Sequence, residues 1–95
     1  MECARSTDIG SIMLTSTWRA KNRAIATVLQ ASRREAELTQ RDLVKLLPAW
    51  LGWDQPTVAK VETSRRRVDL VEFIEIAKAL KLDPLVLFTR VVRWK

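Results

Sequence analysis

The 95-residue sequence contains no histidine and no tyrosine, and it has only one cysteine, two glycines and three prolines. Without histidine, the chain lacks the usual zinc ligand and the usual general base. Cys3 alone forms no disulfide within the chain and builds no cysteine-based metal cluster. Because a glycine-rich phosphate loop is missing as well, we expect no enzyme, no metal and no cofactor.

Glycine and proline are also too scarce for an all-β chain, in which turns separate many short strands. Alanine, leucine, lysine, arginine and glutamate dominate instead, and these residues favour helices. With 47% hydrophobic and 29% charged residues, the composition is typical of a globular protein with one modest core. No apolar run is long enough for a signal peptide or a membrane span, so we expect a cytoplasmic protein with no membrane partner.

The formal charge of +6 and the pI of about 10.3 favour an anionic partner. Nucleic acid is the first candidate, because clustered arginine and lysine neutralise phosphates. The alternative is that positive charge only keeps the protein soluble. Charge alone also permits RNA binding, but the sequence has no pattern of aromatic residues for stacking bases.

Apolar spacing predicts a flexible N-terminal arm over residues 1–16, followed by five helices. The first helix is expected over residues 18–36, with Thr17 as its N-cap. Its inward face is Ile25, Leu29 and Ala36 with Val28 beside them, and its solvent face is Arg19, Lys21, Arg23, Arg34 and Glu35.

The second helix is expected to begin after the N-cap Thr39. It carries the clearest amphipathic stripe of the chain, at the spacing i, i+3, i+4, i+7, i+8: Leu43, Leu46, Leu47, Trp50 and Leu51. Pro48 interrupts this stripe, because an interior proline costs a helix about 3 kcal/mol. We therefore predict a break near Leu47 and a short extra turn through Leu51.

Asp54 as N-cap, with Pro56 in the first turn, predicts a third helix over residues 55–63. Its apolar spacing turns Val58 and Val61 inward. The residues then left on its outer side are Gln55, Thr57 and Lys60.

Asp69 and Glu72 form a capping-box pattern that predicts a fourth helix over residues 70–81. Asp83 followed by a proline predicts a fifth helix over residues 84–93. The residues expected to face the core from the fourth helix are Leu70, Phe73, Ile74, Ala77 and Leu80.

Over residues 25–88, the stretch LTQRDLVKLL…GWDQPTVAKVE…RRRVDLVEFIEIAKALKLDPLVLF resembles the Cro/CI-like (XRE) helix-turn-helix family. The residues that carry the resemblance are Leu38-Thr39-Gln40, Leu43, Gly52, Val58, Val61-Glu62 and the ending Ala77…Leu80…Leu82-Asp83. The resemblance implies an all-α, compact five-helix, lambda-repressor-like domain over residues 17–95. It also implies that the third helix enters the major groove while the second crosses the DNA backbone.

The same resemblance implies a set of DNA contacts. Base edges are expected to meet Gln55, Pro56, Thr57 and Lys60, since glutamine pairs with adenine and lysine with guanine. Phosphate contacts are expected from Thr39, Gln40, Thr63, Arg65, Arg66 and Arg67, although Thr39 fits a cap better. The alternative for Gln55 and Thr57 is an ordinary solvated helix start. Arg33 and Glu62 are expected to form an ion pair that fixes the angle of the third helix.

Two features depart from the family pattern. About four extra residues, at positions 48–51, precede Gly52, and we expect Trp50 and Trp53 to fill the added space as core. The alternative is that they stack on a base. Ser64 stands where the family often has a glycine that ends the third helix. A left-handed conformation there costs serine more than glycine, so the chain is expected to leave that helix differently.

The last helix is apolar on more than one face, which predicts a homodimer. The expected interface is Leu85, Phe88, Val91, Val92 and Trp94; the alternative is that this segment only closes the core. The predicted function is a sequence-specific, double-stranded-DNA-binding transcriptional regulator, a homodimeric repressor at an operator. The alternative function is an antitoxin or anti-activator that acts on a protein partner.

Overall fold

The computed structural model describes the backbone of residues 7–94 and the side chains of residues 17–94. In this part of the chain there are five α-helices, one 3-10 turn and no β-strand. The elements are α1 (Thr7–Glu35), α2 (Gln40–Leu46), the 3-10 turn (Ala49–Leu51), α3 (Gln55–Glu62), α4 (Leu70–Ala79) and α5 (Pro84–Arg93). The predicted all-α, five-helix class is therefore confirmed. None of these helices is long and apolar enough to cross a membrane.

Helix α1 begins at Thr7 and runs for 29 residues, which corrects the predicted start at residue 18. Thr17 lies inside the helix and is not its N-cap. Residues 7–16, predicted as part of an arm, have a helical backbone, and residues 1–6 of that arm lie outside the described residues. The physical reason is that each residue added to a formed helix gains one hydrogen bond, and no proline stops this stretch.

The starts of α2, α3, α4 and α5 follow the predicted caps. The Thr39 hydroxyl accepts the backbone N–H of Asp42 at 3.0 Å, and the Asp42 carboxylate accepts the N–H of Thr39 at 3.0 Å. Asp69 and Glu72 form the same reciprocal pair at the start of α4. These two capping boxes and the caps of α3 and α5 fix where each helix begins.

Three helices end in a left-handed residue that is not glycine: Glu37, Ser64 and Lys81 have φ values of 61°, 65° and 60°. At Ser64 the chain makes the paired bonds of a Schellman motif. The Arg65 N–H donates to the Lys60 carbonyl at 2.8 Å, and the Ser64 N–H donates to Val61 at 3.1 Å. Ser64 therefore adopts the conformation that the family pattern gives to glycine, and the expectation of a different exit was wrong.

Pro48 breaks the second amphipathic segment as predicted. Helix α2 ends at Leu46, Leu47 is extended, and the 3-10 turn follows. Leu47 is extended because a following proline disfavours the α conformation. The helical stripe consequently does not continue to Trp50, which is 67% exposed. Trp53 is buried, with only 9% of its surface exposed. The expectation that Trp50 fills the core was wrong.

The core lies where α1, α2, α3, α4 and α5 converge, and its largest fully buried side chains are Ile76, Leu87 and Val58. Predicted core positions that are buried are Val28, Leu29, Leu43, Leu47, Val58, Val61, Phe73, Ala77 and Leu80. Predicted core positions that are exposed are Ala36, Leu46, Trp50 and Leu70. The exposed ones lie at or beyond helix ends, where helical spacing no longer determines which way a side chain points.

Candidate nucleic-acid interface

Two glutamines meet where α2 and α3 begin. The Gln55 side chain donates from Nε2 to Gln40 Oε1 at 2.6 Å, and Gln40 donates from Nε2 to Glu62 Oε1 at 2.9 Å. Each is the first residue of its helix, and each is half-buried. This chain of amides fixes the first residue of α3 to both α2 and the far end of α3 itself.

Glu62 receives this chain through a buried ion pair with α1. Arg33 donates to the Glu62 carboxylate from Nε at 2.6 Å and from Nη2 at 3.0 Å. The two side chains are 8% and 2% exposed. Arg33 also donates from Nη1 to the Leu38 carbonyl at 2.6 Å, in the connection to α2. The pair thus holds α1, α2 and α3 at fixed angles, and it is too deeply buried to contact a ligand itself.

The predicted base-reading residues differ in how freely they can bind. Pro56 and Lys60 are exposed. The hydroxyl of Thr57 donates to Asp54 Oδ1 at 2.6 Å, so only its oxygen lone pairs remain for another donor. That hydroxyl and the Thr57 backbone N–H lower the pKa of Asp54, which keeps the N-cap ionised. Gln55 has one amide proton engaged by Gln40, which leaves its second amide proton and its carbonyl oxygen.

An open, polar depression of about 540 Å³ lies at the start of α2. It is lined by Arg33, Arg34, Leu38, Thr39, Gln40, Arg41 and Gln55. Arg34 and Arg41 are exposed. The Thr39 hydroxyl already serves as the helix cap. The groups of this depression that remain for an anion are the guanidinium groups of Arg34 and Arg41. Arginine beside a helix N-terminus is suited to a phosphate.

The loop after α3 contains the three arginines predicted to contact phosphates. One of them, Arg66, is hydrogen-bonded within the protein. Arg66 donates from Nη1 and Nη2 to the Glu72 carboxylate at 3.1 and 2.9 Å, and its guanidinium lies 5.0 Å from the Trp53 ring. Its hydrogen bonds to Glu72 raise the pKa of Arg66. Arg66 therefore has an internal partner matched to its planar fork, and its predicted phosphate contact stays a prediction.

The neighbouring residues are arranged differently. Arg65 is exposed, and Arg67 lies over the Trp18 ring of α1 at 4.6 Å while its side chain stays accessible. Thr63, also predicted to contact a phosphate, donates its hydroxyl to the Ala59 carbonyl at 2.8 Å. The accessible cationic residues of this loop are thus Arg65 and Arg67.

Three parts of this arrangement were not predicted from the sequence. They are the hydrogen bond between Gln40 and Gln55, the hydrogen bonds that Glu72 accepts from other elements, and the contact of Trp18 with the loop. Glutamine at the first position of two successive helices was the available signal for the pair. Glu72 was identified only as a cap. Its carboxylate also accepts the Trp53 Nε1–H at 3.3 Å. No local sequence pattern indicates such long-range partners.

The outer faces of α4 and α5 carry most of the exposed apolar side chains that the structure describes. Leu85 and Leu70 are 73% and 71% exposed, and Phe88 meets Phe73 edge-on with ring centroids 6.3 Å apart. Val91, predicted for a dimer interface, is instead part of the core. The described side chains include no group of three or more His, Cys, Asp or Glu able to hold a metal ion.

Comparison with solved structures gives an informative likeness. No protein-family model matches the chain, and no curated protein matches it. Among solved structures, the fold is similar to an XRE-family like protein from Pseudomonas syringae pv. tomato str. DC3000, with a TM-score of 0.70 and 29% sequence identity. The match covers 84% of this chain and 93% of that one. The chain therefore has an XRE-family fold, and this fold suggests a DNA-binding regulator.

Proposed function

We propose that this protein is a sequence-specific, double-stranded-DNA-binding transcriptional regulator that reads its site with α3. The observation that carries the proposal is the bracing of α3: its first residue is tied to Gln40 and its last to Arg33, while Pro56 and Lys60 are exposed. The major groove is about 12 Å wide and admits one helix. A helix that recognises bases there must be held rigidly by the protein on its inner side and be accessible on its outer side.

Base recognition is assigned to the outer side of α3. The free amide proton and carbonyl of Gln55 match the adenine N7 and N6 groups, and Lys60 matches the guanine acceptors O6 and N7. Pro56 has no side-chain donor and offers apolar contact, for example to a thymine methyl. Thr57 acts as an acceptor only, because its proton is held by Asp54.

Phosphate binding is assigned to both ends of α3. Arg34 and Arg41 line the depression where α2 begins, and Gln40 of the same depression is hydrogen-bonded to Gln55 of α3. Arg65 and Arg67 lie in the loop where α3 ends. Together with the net charge of +6, these groups supply the sequence-independent part of the affinity.

The regulator acts as a homodimeric repressor in this proposal. One small domain makes few base contacts, and two copies read half-sites about 34–36 Å apart. The exposed apolar face of α5, around Leu85, Phe88, Val92 and Trp94, is the proposed contact between copies. A bound dimer would block a promoter by occupying it, without any chemistry.

The test is selection of bound duplexes from random DNA, followed by measurement with variants of the selected site. Gln55→Ala and Lys60→Ala are each expected to relax specificity at one base-pair position by about 1–3 kcal/mol. Lys78→Ala, which removes an exposed charge on α4, is the matched control and should change neither specificity nor site preference. Recovery of duplexes with no common sequence would refute the proposal.

A second function is favoured by the same apolar surface: the protein acts as an antitoxin or anti-activator by binding another protein. Apolar grooves of about 160 and 250 Å³ lie on either side of Phe88, and a partner helix could pack into them. Co-purification of one partner in a fixed ratio would support this function. Tight binding to a palindromic duplex by the isolated protein would support the first.

A further inference from the structure

One edge of α1 faces α3. Gln30 and Arg33 of α1 both reach Glu62 of α3, at 3.5 Å for Gln30 Nε2 and 2.6 Å for Arg33 Nε. Arg23 lies seven residues before Gln30, and Arg19 lies four residues before Arg23. Residues at these spacings share one side of a helix, so both arginines lie on the α3-facing edge. Both are exposed.

The same stretch of α1 lies against the loop that follows α3. Asn22 donates from Nδ2 to the Ser64 hydroxyl at 2.9 Å, and Trp18 carries the Arg67 guanidinium over its ring. Arg19 and Arg23 each follow one of these contact residues in sequence. This stretch of α1 therefore brings two more cations near the loop that contains Arg65 and Arg67.

We propose that Arg19 and Arg23 bind DNA phosphates and prolong the interface along α1; this rests on the proposed function. Four residues of α-helix rise about 6 Å, and each DNA strand carries a phosphate about every 3.4 Å of axis, so the two side chains meet separate phosphates. Both arginines precede residue 25, where the family resemblance begins. The contacts raise affinity for every sequence and leave base preference unchanged.

The test compares two double variants of equal charge. Arg19→Gln with Arg23→Gln, and Lys21→Gln with Arg93→Gln, each change the net charge from +6 to +4. Lys21 is the control residue on α1 because it lies on the side of the helix that faces α5. It is seven residues before Val28, and on the same side Ser32 and Glu35 accept hydrogen bonds from Arg90 of α5. All four residues are exposed, so both variants should unfold at the wild-type temperature.

Binding is measured by fluorescence anisotropy on a labelled duplex of mixed sequence over a series of salt concentrations. The Arg19/Arg23 variant is expected to lower the slope of log affinity against log salt by about 1.8, which is about 0.9 for each lost contact. The Lys21/Arg93 variant should keep the wild-type slope, and so should Arg19→Lys with Arg23→Lys. Equal slopes for the two glutamine variants, with the wild type still binding the duplex, would overturn the inference and leave the proposed function standing. A wild type that binds no duplex would refute both.

Discussion

Glu62 is the residue on which three helices depend. Its carboxylate accepts hydrogen bonds from Arg33 and Gln40, and Gln30 approaches it at 3.5 Å. Truncating it leaves the Arg33 guanidinium buried without its counter-charge. Removing one member of a buried pair typically costs about 3–5 kcal/mol, far more than the pair contributes relative to two apolar residues.

We therefore expect Glu62→Ala to lower the free energy of unfolding by about 3–5 kcal/mol. Urea denaturation followed by circular dichroism measures this loss. Glu35→Ala is the control, because the Glu35–Arg90 pair is exposed and such pairs contribute at most about 1 kcal/mol. An unchanged urea midpoint in Glu62→Ala would show that the pair does not hold the helices together.

Lys81 offers a stabilising change at the residue scale. It is exposed, it ends α4 at a φ of 60°, and an L-residue in this conformation is strained by about 1–2 kcal/mol. Lys81→Gly should remove most of that strain and, after the greater unfolded-state entropy of glycine, raise stability by about 0.5–1 kcal/mol.

The comparison for Lys81 uses two other glycine substitutions. Ser64→Gly should gain less, because it also loses the hydrogen bond from Asn22. Lys78→Gly, inside α4, should lose about 1 kcal/mol. Differential scanning calorimetry separates the three. A lower melting temperature for Lys81→Gly than for wild type would contradict the assignment of strain.

At the scale of elements, Glu72 joins the start of α4 to the loop after α3 and to Trp53. Hydrogen bonds from Arg66 lower the pKa of Glu72 below its ordinary value of 4.5, with further lowering by the Asp69 N–H and Trp53 and partial opposition from burial. A carboxyl group whose pKa is lowered by folding stabilises the folded state fully at pH values above the pKa that it has in the unfolded chain. That stabilisation is lost as the pH falls through the folded pKa.

Glu72→Gln should therefore lower the unfolding free energy by about 1–2 kcal/mol at neutral pH, and this deficit should shrink as the pH falls below about 4.5. Chemical denaturation of both proteins across the acid range measures the deficit. Asp42 of the α2 capping box and the N-cap Asp54 titrate in both proteins and cancel in the difference. A deficit that stays constant down to strongly acid pH would contradict this assignment.

The helix boundaries could be predicted wherever a local cap exists. Asp54, Asp69 and Asp83 each place a side-chain oxygen next to the first free amides, and this needs no knowledge of the rest of the chain. The start of α1 was predicted wrongly because Thr17 also has the side chain of a cap, and the residues before it show no clear helical spacing of apolar side chains. Trp50 was misplaced because its apolar character and its spacing agreed with a helix that Pro48 had already ended.

The candidate site was predictable only in outline. The family pattern indicated which helix carries Gln55 and Lys60, and it named Arg33 and Glu62, which do lie together. It did not distinguish the three loop arginines. Arg66 is bound internally because Trp53 and Glu72 approach it from elements 13 and 6 residues away in sequence, and such partners follow from packing, not from periodicity.

At the scale of the whole molecule, the cationic residues around α3 and most of the exposed apolar side chains lie on different elements. The cationic residues lie on the elements that contact Glu62 and Ser64, whereas most of the exposed apolar side chains lie on α4 and α5. Such separation suits a protein that binds a polyanion with one side and another protein surface with the other. It also allows the two activities to be tested by independent substitutions.

Leu85 is the best position to test self-association, because it is 73% exposed and a charge placed there leaves the core intact. We expect the wild type to sediment as a dimer at micromolar concentration and Leu85→Lys as a monomer, since burying an unpaired lysine in an apolar contact is unfavourable. Leu46→Lys makes the same change at another exposed leucine and should remain dimeric. Leu85→Lys should keep the helical circular dichroism spectrum of the wild type yet lose tight binding to a palindromic site, because each half-site then binds alone. A wild type that sediments only as a monomer would refute the dimer and leave the apolar face to a different protein.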